Sequence, residues 1–249
     1  MPREYKSFPR VFVDAPLAAG GQVVLGEGAA NHLLNVLRLG EGDAAILFNG
    51  RDGAWLAKVA GARKKTATLE VAVQTAHQTP PSDLWFGFAP LKVGRLDYVV
   101  QKATEMGAGV IQPVITEYTQ TRRLRFDKLE AWALDAAQQC EVLALPRLAA
   151  EIELRPLLDS WRSTQGLRRL IVADEASASA SPVVAIGGLA GLPVGILVGP
   201  EGGFSDAERK LLLAQDFVVP ISLGPRILRA DTAAVAALAV VQSIIGDWR

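Results

Sequence analysis

The pattern of apolar and polar positions changes near residue 80. Before it, short runs rich in β-formers alternate with glycine and charge: RVFV from residue 10, QVVL from 22, AAILFNG from 44, AWLAKVA from 54 and TATLEVAV from 66. Runs of this length, bounded by turn formers, predict a small all-β unit. FNGRDGAW joins two of them as a hairpin, with glycines available for positive φ. One stretch, ANHLLNVLRL from residue 30, has Leu33, Leu34, Val36 and Leu37 at helical spacing. The unit reads as a barrel over residues 1–76, and the polar, proline-rich AHQTPPSD over 76–83 reads as a linker.

From residue 82 to 249 strands and helices alternate. LWFGFAPL, VIQPVIT, RRLIVAD, GILVG and VVPISL read as buried strands. GRLDYVVQKATEMG reads as a helix closed by Gly107. FDKLEAWALDAAQQC is a helix that Asp127 could cap, with Glu130 three residues on, and SDAERKLLLAQD carries the capping box Ser205 and Glu208. DTAAVAALAVVQSIIG is the last helix. The alternation predicts an α/β fold with a mainly parallel sheet covered on both faces. In such sheets ligands bind past the carboxyl ends of strands.

Composition narrows the chemistry. Of 249 residues half are hydrophobic, enough for a sizeable core, and the net charge is zero. No apolar run is long and pure enough to span a bilayer, and MPREYKSFPRVFV lacks the apolar core of a signal peptide. One cysteine, Cys140, excludes an internal disulfide, and two histidines, His32 and His77, make no rich metal site. The expectation is a cytoplasmic protein with no metal and no membrane partner. Zero net charge leaves room for local basic clusters, and three stand out: ARKK at 62–65, TRRLR at 121–125 and LRR at 167–169. Each by itself reads as a solvated loop.

Two junctions carry the candidate site. VGILVGPEGGFS (194–205) and SLGPRILRADTAA (222–234) each run from an apolar strand through Gly-Pro into a helix. Neither contains G-x-G-x-x-G or a P-loop. What they offer is backbone that a flat ligand can approach closely, at Gly199, Gly202, Gly203 and Gly224. Leu197, Ile221, Leu223 and Leu228 could supply apolar walls, with Glu201, Arg226, Arg229 and Asp231 close by. An adenine-bearing cofactor suits such a pocket.

LVGPEGGFSDAE followed by LGPRILRADTAA resembles the C-terminal signature of the RsmE family. RVFV and NHLLNVLRLGEGD are similar to that family's PUA-like RNA-binding barrel, and LKVGRLDYVVQKATEMG to its central segment. The resemblance covers nearly the whole chain. It implies a SPOUT-class methyltransferase acting on N3 of a uridine in 16S ribosomal RNA of the small subunit. It also implies S-adenosyl-L-methionine as donor, a C-terminal trefoil knot and a homodimer. Carried over by position, the cofactor lies against Leu197, Gly199, Gly203, Ile221, Leu223, Gly224 and Leu228. Arg10 matches an arginine on the RNA-facing barrel and Arg38 closes the matching helix; Arg122 and Arg123 join them as candidate RNA contacts. The chain departs from the family pattern at Asp231 (usually glutamate), Tyr118 and Val142 (usually arginine) and Gln138 (usually an acid).

Uridine N3 is a poor nucleophile while it keeps its proton. A cation near the uracil carbonyls stabilises the developing anion. Arg229 is the first candidate and Arg10, from a partner subunit, the second. Glu201 or Asp231 could take the proton; for Asp231, N-capping of the last helix is the favoured explanation of an acid. Two other readings stay open: an RNA-binding ribosome-assembly protein without turnover, and a methyltransferase of another RNA. A third, an unrelated α/β enzyme with a nucleotide cofactor, lacks the usual phosphate-binding codes.

Overall fold

The computed structural model describes all residues except 1–4, 6, 64, 93, 122, 175–180 and 249. It divides into two compact units, one of residues 1–81 with 137–145, the other of 82–136 with 146–249.

The first unit is a five-stranded sheet. Its strands are β1 (Arg10–Phe12), β2 (Gln22–Leu25), β3 (Ala44–Phe48), β4 (Ala54–Arg63) and β5 (Thr66–Ala76), in the order β1-β3-β4-β5-β2. β1 runs parallel to β3 and the other pairs are antiparallel. Three register shifts between β4 and β5 bend the long hairpin. Val23, Leu25, Leu47, Ala57, Val59, Leu69 and Val71 fill the core on one face. The opposite face of β3 is buried too, because Ile46 and Phe48 pack with Ala137 and Leu143 of the 137–145 segment. Gln138 ties that segment down, its Oε1 accepting the Phe12 N–H at 3.0 Å. The predicted helix is a short α1 (Glu27–Asn31) that widens into a π-helical turn over His32–Val36.

The hairpin of FNGRDGAW is held by Asp52. Its Oδ2 accepts from the Leu17 N–H at 2.9 Å and Asn49 Nδ2 at 2.6 Å, and its carbonyl accepts from Trp55 Nε1 at 2.8 Å. Gly53 sits at φ +81°, where a Cβ would run into the Ala76 carbonyl. The Leu17 and Asn49 hydrogen bonds hold the Asp52 carboxyl below its ordinary pKa. A depressed folded pKa contributes stability above the unfolded value, near 3.9, and loses it as pH falls through the folded one. Asp52→Ala is therefore expected to lower unfolding free energy by about 1–2 kcal/mol at pH 7 and by progressively less below about pH 4. Urea unfolding of both proteins at pH 7, 4 and 3 measures this; an equal difference at all three would contradict it.

The second unit is an all-parallel sheet. Its strands are β6 (Trp85–Phe88), β7 (Val110–Ile115), β8 (Arg147–Leu148), β9 (Ile152–Glu153), β10 (Arg169–Ala173), β11 (Val194–Val198) and β12 (Val218–Ile221). The order is β12-β10-β11-β6-β7-β8, with β9 also on β7. Alternation sends Phe86, Phe88, Ile171, Ile196 and Val198 to one face, under α2 (Leu96–Glu105), α3 (Phe126–Gln139), α5 (Pro182–Gly187) and α7 (Ala230–Ile244). Trp85, Leu170, Val172 and Leu197 go to the other, under α4 (Leu154–Gln165) and α6 (Asp206–Leu213). This is the expected doubly covered parallel sheet. Gly107 closes α2 at φ +78°, and the capping box of α6 forms, with Ser205 Oγ accepting the Glu208 N–H and Glu208 Oε2 accepting the Ser205 N–H.

Two caps differ from expectation. α3 starts at Phe126, so Asp127 lies inside its first turn and pairs with Arg125. Arg229, not Asp231, is the N-cap of α7, and it makes no side-chain cap.

Candidate active site

β10 and β11 end side by side at Ala173 and Val198. Past those ends the chain opens a cavity of about 400 Å³, lined by Ala173, Asp174, Val198, the first junction from Gly199 to Phe204, and Leu223, Gly224, Arg226, Ile227 and Leu228 of the second. Both Gly-Pro junctions thus line one cavity. Its volume falls in the range of small-molecule sites.

Backbone conformation builds it. The Gly203 N–H donates to the Pro200 carbonyl at 2.9 Å, closing a turn with Gly203 at φ +69°. Gly224 sits at φ +113° with open space where a side chain would be. Both angles favour glycine. Gly199 has an ordinary φ, but a Cβ there would lie 3.1 Å from the Phe204 ring, which also lines the cavity.

Of the predicted cofactor contacts, Gly199, Gly203, Leu223, Gly224 and Leu228 line the cavity. Leu197 and Ile221 do not. Both are fully buried in the strands, Leu197 in the core on one face and Ile221 in that on the other. They support the floor from which the junctions spring.

The charged residues separate by partner. Asp231 pairs with Arg95 at 3.1 Å and accepts from the Thr232 N–H at 2.8 Å. Glu201 is exposed at the cavity, its Oε1 3.4 Å from the Lys92 N–H. Arg226 is exposed and lines the cavity; Arg229 is exposed just beyond it, and among the described residues neither forms a salt bridge. The sequence reading missed one pair that lines the cavity, Arg209 Nε on Asp174 Oδ2 at 2.8 Å. Asp174 directly follows the apolar run of β10, and that position was the available signal.

In the first unit, Arg10 is half-buried with its guanidinium 5.0 Å from the Phe48 ring centroid. Burial pushes its pKa below the ordinary value, opposed by the charge of Glu141. Arg38 is exposed and holds φ +59°, the left-handed region. In the second unit Arg123 is exposed. Arg122 lies outside the described residues. Among the described residues no group of three or more His, Cys, Asp or Glu is placed to hold a metal, and no helix is long and apolar enough to cross a membrane.

Residues 78–242 match the RNA methyltransferase domain family and residues 25–72 the RNA methyltransferase PUA domain. The ribosomal RNA small subunit methyltransferase E of Rickettsia conorii is 30% identical over 237 residues, 94% of this chain and 95% of its own. The crystal structure of the same-named enzyme from Neisseria gonorrhoeae, bound to S-adenosyl methionine, superposes with a TM-score of 0.81 at 27% identity, covering 97% of this chain and all of that one. A solved structure from Legionella pneumophila in complex with the bound cofactor SAM gives 0.79 at 29% identity, covering 95% of this chain and 97% of that one. Matched along both units at this identity, the chain belongs to the ribosomal RNA small subunit methyltransferase E family.

Proposed function

We propose that this chain methylates N3 of a uridine in 16S ribosomal RNA, using S-adenosyl-L-methionine, and acts on the small subunit or its precursor in the cytoplasm. The observation that carries the reading is the single cavity formed by both Gly-Pro junctions past the ends of β10 and β11. The residues present fit the donor. The cavity is large enough, its glycines leave main-chain N–H and C=O groups approachable, and Leu223 and Leu228 give apolar surface. Gly199, Gly203, Leu223, Gly224 and Leu228 would touch it, and Leu197 and Ile221 would fix the strand ends beneath. When bound, the donor supplies a methyl group already activated on a sulfonium.

The protein's own task is to position the uracil, help N3 lose its proton and stabilise the negative charge that results. Asp231 is occupied by Arg95 and by the backbone of its own helix, so Glu201, exposed at the cavity, is the better base. Arg229 has no carboxylate partner among the described residues and is the cation we assign to the uracil oxygens. Arg10 of a partner subunit is the second candidate. The homodimer is supported by α7, whose Val235, Ala239, Val240 and Ile244 stay only partly covered within one chain. A C-terminal trefoil knot is supported by the path after β12. That strand is at the sheet edge, yet α7, which follows it, packs back on α2 and β11.

We assign RNA binding chiefly to residues 1–76 and cofactor binding to 82–249. Truncating the chain to begin at Ser82 is a poor test, because Ala137 and Leu143 would lose the partners they pack against in the first unit. Arg38 gives a cleaner one. A non-glycine residue in the left-handed region costs about 1–2 kcal/mol, which a side chain used for binding would justify. Arg38→Gly is expected to keep or raise thermal stability and to weaken RNA binding severalfold. The slope of log K against log salt should fall by about 0.7–0.9, the value for one phosphate no longer neutralised. Unchanged RNA affinity and slope would remove Arg38 from the interface.

The reading is tested first by calorimetric titration with S-adenosyl-L-methionine and with its demethylated product. Saturable binding of both at one site is expected. A chain that binds RNA but neither molecule would be an assembly protein without turnover.

A further inference from the structure

Next to the cofactor cavity the second unit carries another concavity, about 500 Å³ and open to solvent, lined by Glu117, Tyr118, Thr119, Gln120 and Gly202. Gly202 belongs to both. We infer that this concavity is a subsite for one unpaired base of the RNA, stacked on the ring of Tyr118 and read at its edge by Gln120. The inference rests on the RNA-methyltransferase reading above and extends it.

The segment is built to hold an aromatic ring still. The Thr116 N–H donates to Thr119 Oγ1 at 2.9 Å, and both threonines are buried. The Thr119 N–H returns to the Thr116 carbonyl at 3.1 Å. The Glu117 N–H donates to Glu208 Oε1 at 2.8 Å, which anchors the segment to α6. Thr121 Oγ1 donates to the Leu91 carbonyl at 2.9 Å. On this frame the Tyr118 ring lies against the bare backbone of Gly202, where an added Cβ would be 3.3 Å from Tyr118 Cδ2. Tyr118 as a whole is nevertheless 46% exposed. Tyr118 is therefore in contact with the Gly202 loop and still open to solvent, at the edge of the site where a nucleotide must be presented.

The chemistry of the lining selects the occupant. Among the described residues it contains no lysine or arginine. It offers an aromatic face, the donor and acceptor of a carboxamide at Gln120, and a carboxylate at Glu117 that accepts only. A nucleobase matches all three, with a π-face for stacking and ring-edge N–H and C=O groups for the polar side chains. Stacking on aromatic side chains is the common way proteins hold single-stranded bases. A target uridine drawn out of its stack leaves neighbours unstacked, and such a platform would hold one of them.

The test compares wild type with Tyr118→Ala and Tyr118→Phe. The affinity of a short uridine-containing single-stranded RNA is measured by fluorescence anisotropy across a salt series, and S-adenosyl-L-methionine affinity by calorimetry. Tyr118→Ala is expected to weaken RNA binding by about ten- to a hundredfold. The salt slope should not change, because the same phosphates stay neutralised, and cofactor affinity should hold. Tyr118→Phe keeps the ring and should bind RNA as wild type does. Unchanged RNA affinity in Tyr118→Ala would overturn the subsite and leave the RNA reading standing. An equal loss in Tyr118→Phe, or a parallel loss of cofactor affinity, would also overturn it, because the ring would then only brace the Gly202 loop. Wild-type protein that binds S-adenosyl-L-methionine but no RNA would overturn the RNA reading and the subsite with it.

Discussion

Arg229→Ala is expected to lower the single-turnover rate of methyl transfer by about two to three orders of magnitude, at saturating cofactor and RNA, with little change in cofactor affinity. That is the usual cost of removing one preorganised charge that faces a developing anion. A brace for the loop would show as a salt bridge to one of the two junction acids, and among the described residues Arg229 forms none. Asp231 pairs with Arg95, and Glu201 faces the Lys92 N–H. Arg229 itself is exposed at the start of α7, one residue past Leu228 of the cavity wall. Lysine should restore only part of the rate, since a point charge lacks the planar fork that can face two acceptors. Near-normal single turnover in Arg229→Ala, with lowered thermal stability instead, would assign the residue a structural role.

Gly199→Val should abolish measurable cofactor binding, a loss of at least about a hundredfold, in a protein that still folds. The backbone at Gly199 is not in the left-handed region, so valine brings no φ strain. Its Cβ, however, would lie 3.1 Å from the Phe204 ring and its methyl groups reach further. Phe204 must move, and it lines the same cavity, so cavity volume is lost from both sides. Overpacking of this kind typically costs about 1–3 kcal/mol of stability. A circular dichroism melt and a calorimetric titration on one preparation separate the two effects. Wild-type cofactor affinity in a folded Gly199→Val protein would place the cofactor elsewhere.

Much of this is legible in the chain because the physical signal is local. Short β-forming runs bounded by glycine and charge locate all five strands of the first unit. The turn at Gly203 and the capping box at Ser205 and Glu208 follow from chemistry within a few residues. What is not legible depends on distant partners. β3 reads AAILF rather than alternating, a sign of burial on both faces, but nothing local says that residues 137–145 supply the second cover. α4 escapes the reading although Leu154, Leu157, Leu158 and Trp161 have the i, i+3, i+4, i+7 spacing of a buried helical stripe. The Asp174–Arg209 pair cannot be foreseen, because it joins the end of β10 to the middle of α6 across 35 positions. Asp231 reads as a cap because an acid at a helix start usually is one. Its actual partner, Arg95, is 136 residues away.

The activity proposed for this chain is methyl transfer to uridine N3 of small-subunit ribosomal RNA. Mass-spectrometric mapping of modified nucleotides in 16S ribosomal RNA tests it most directly. It would compare cells carrying this gene, cells lacking it, and the deletion strain complemented with Arg229→Ala. One N3-methyluridine is expected to be present in the first, absent from the second and strongly reduced in the third. An identical set of methylated uridines in the first two strains would contradict it.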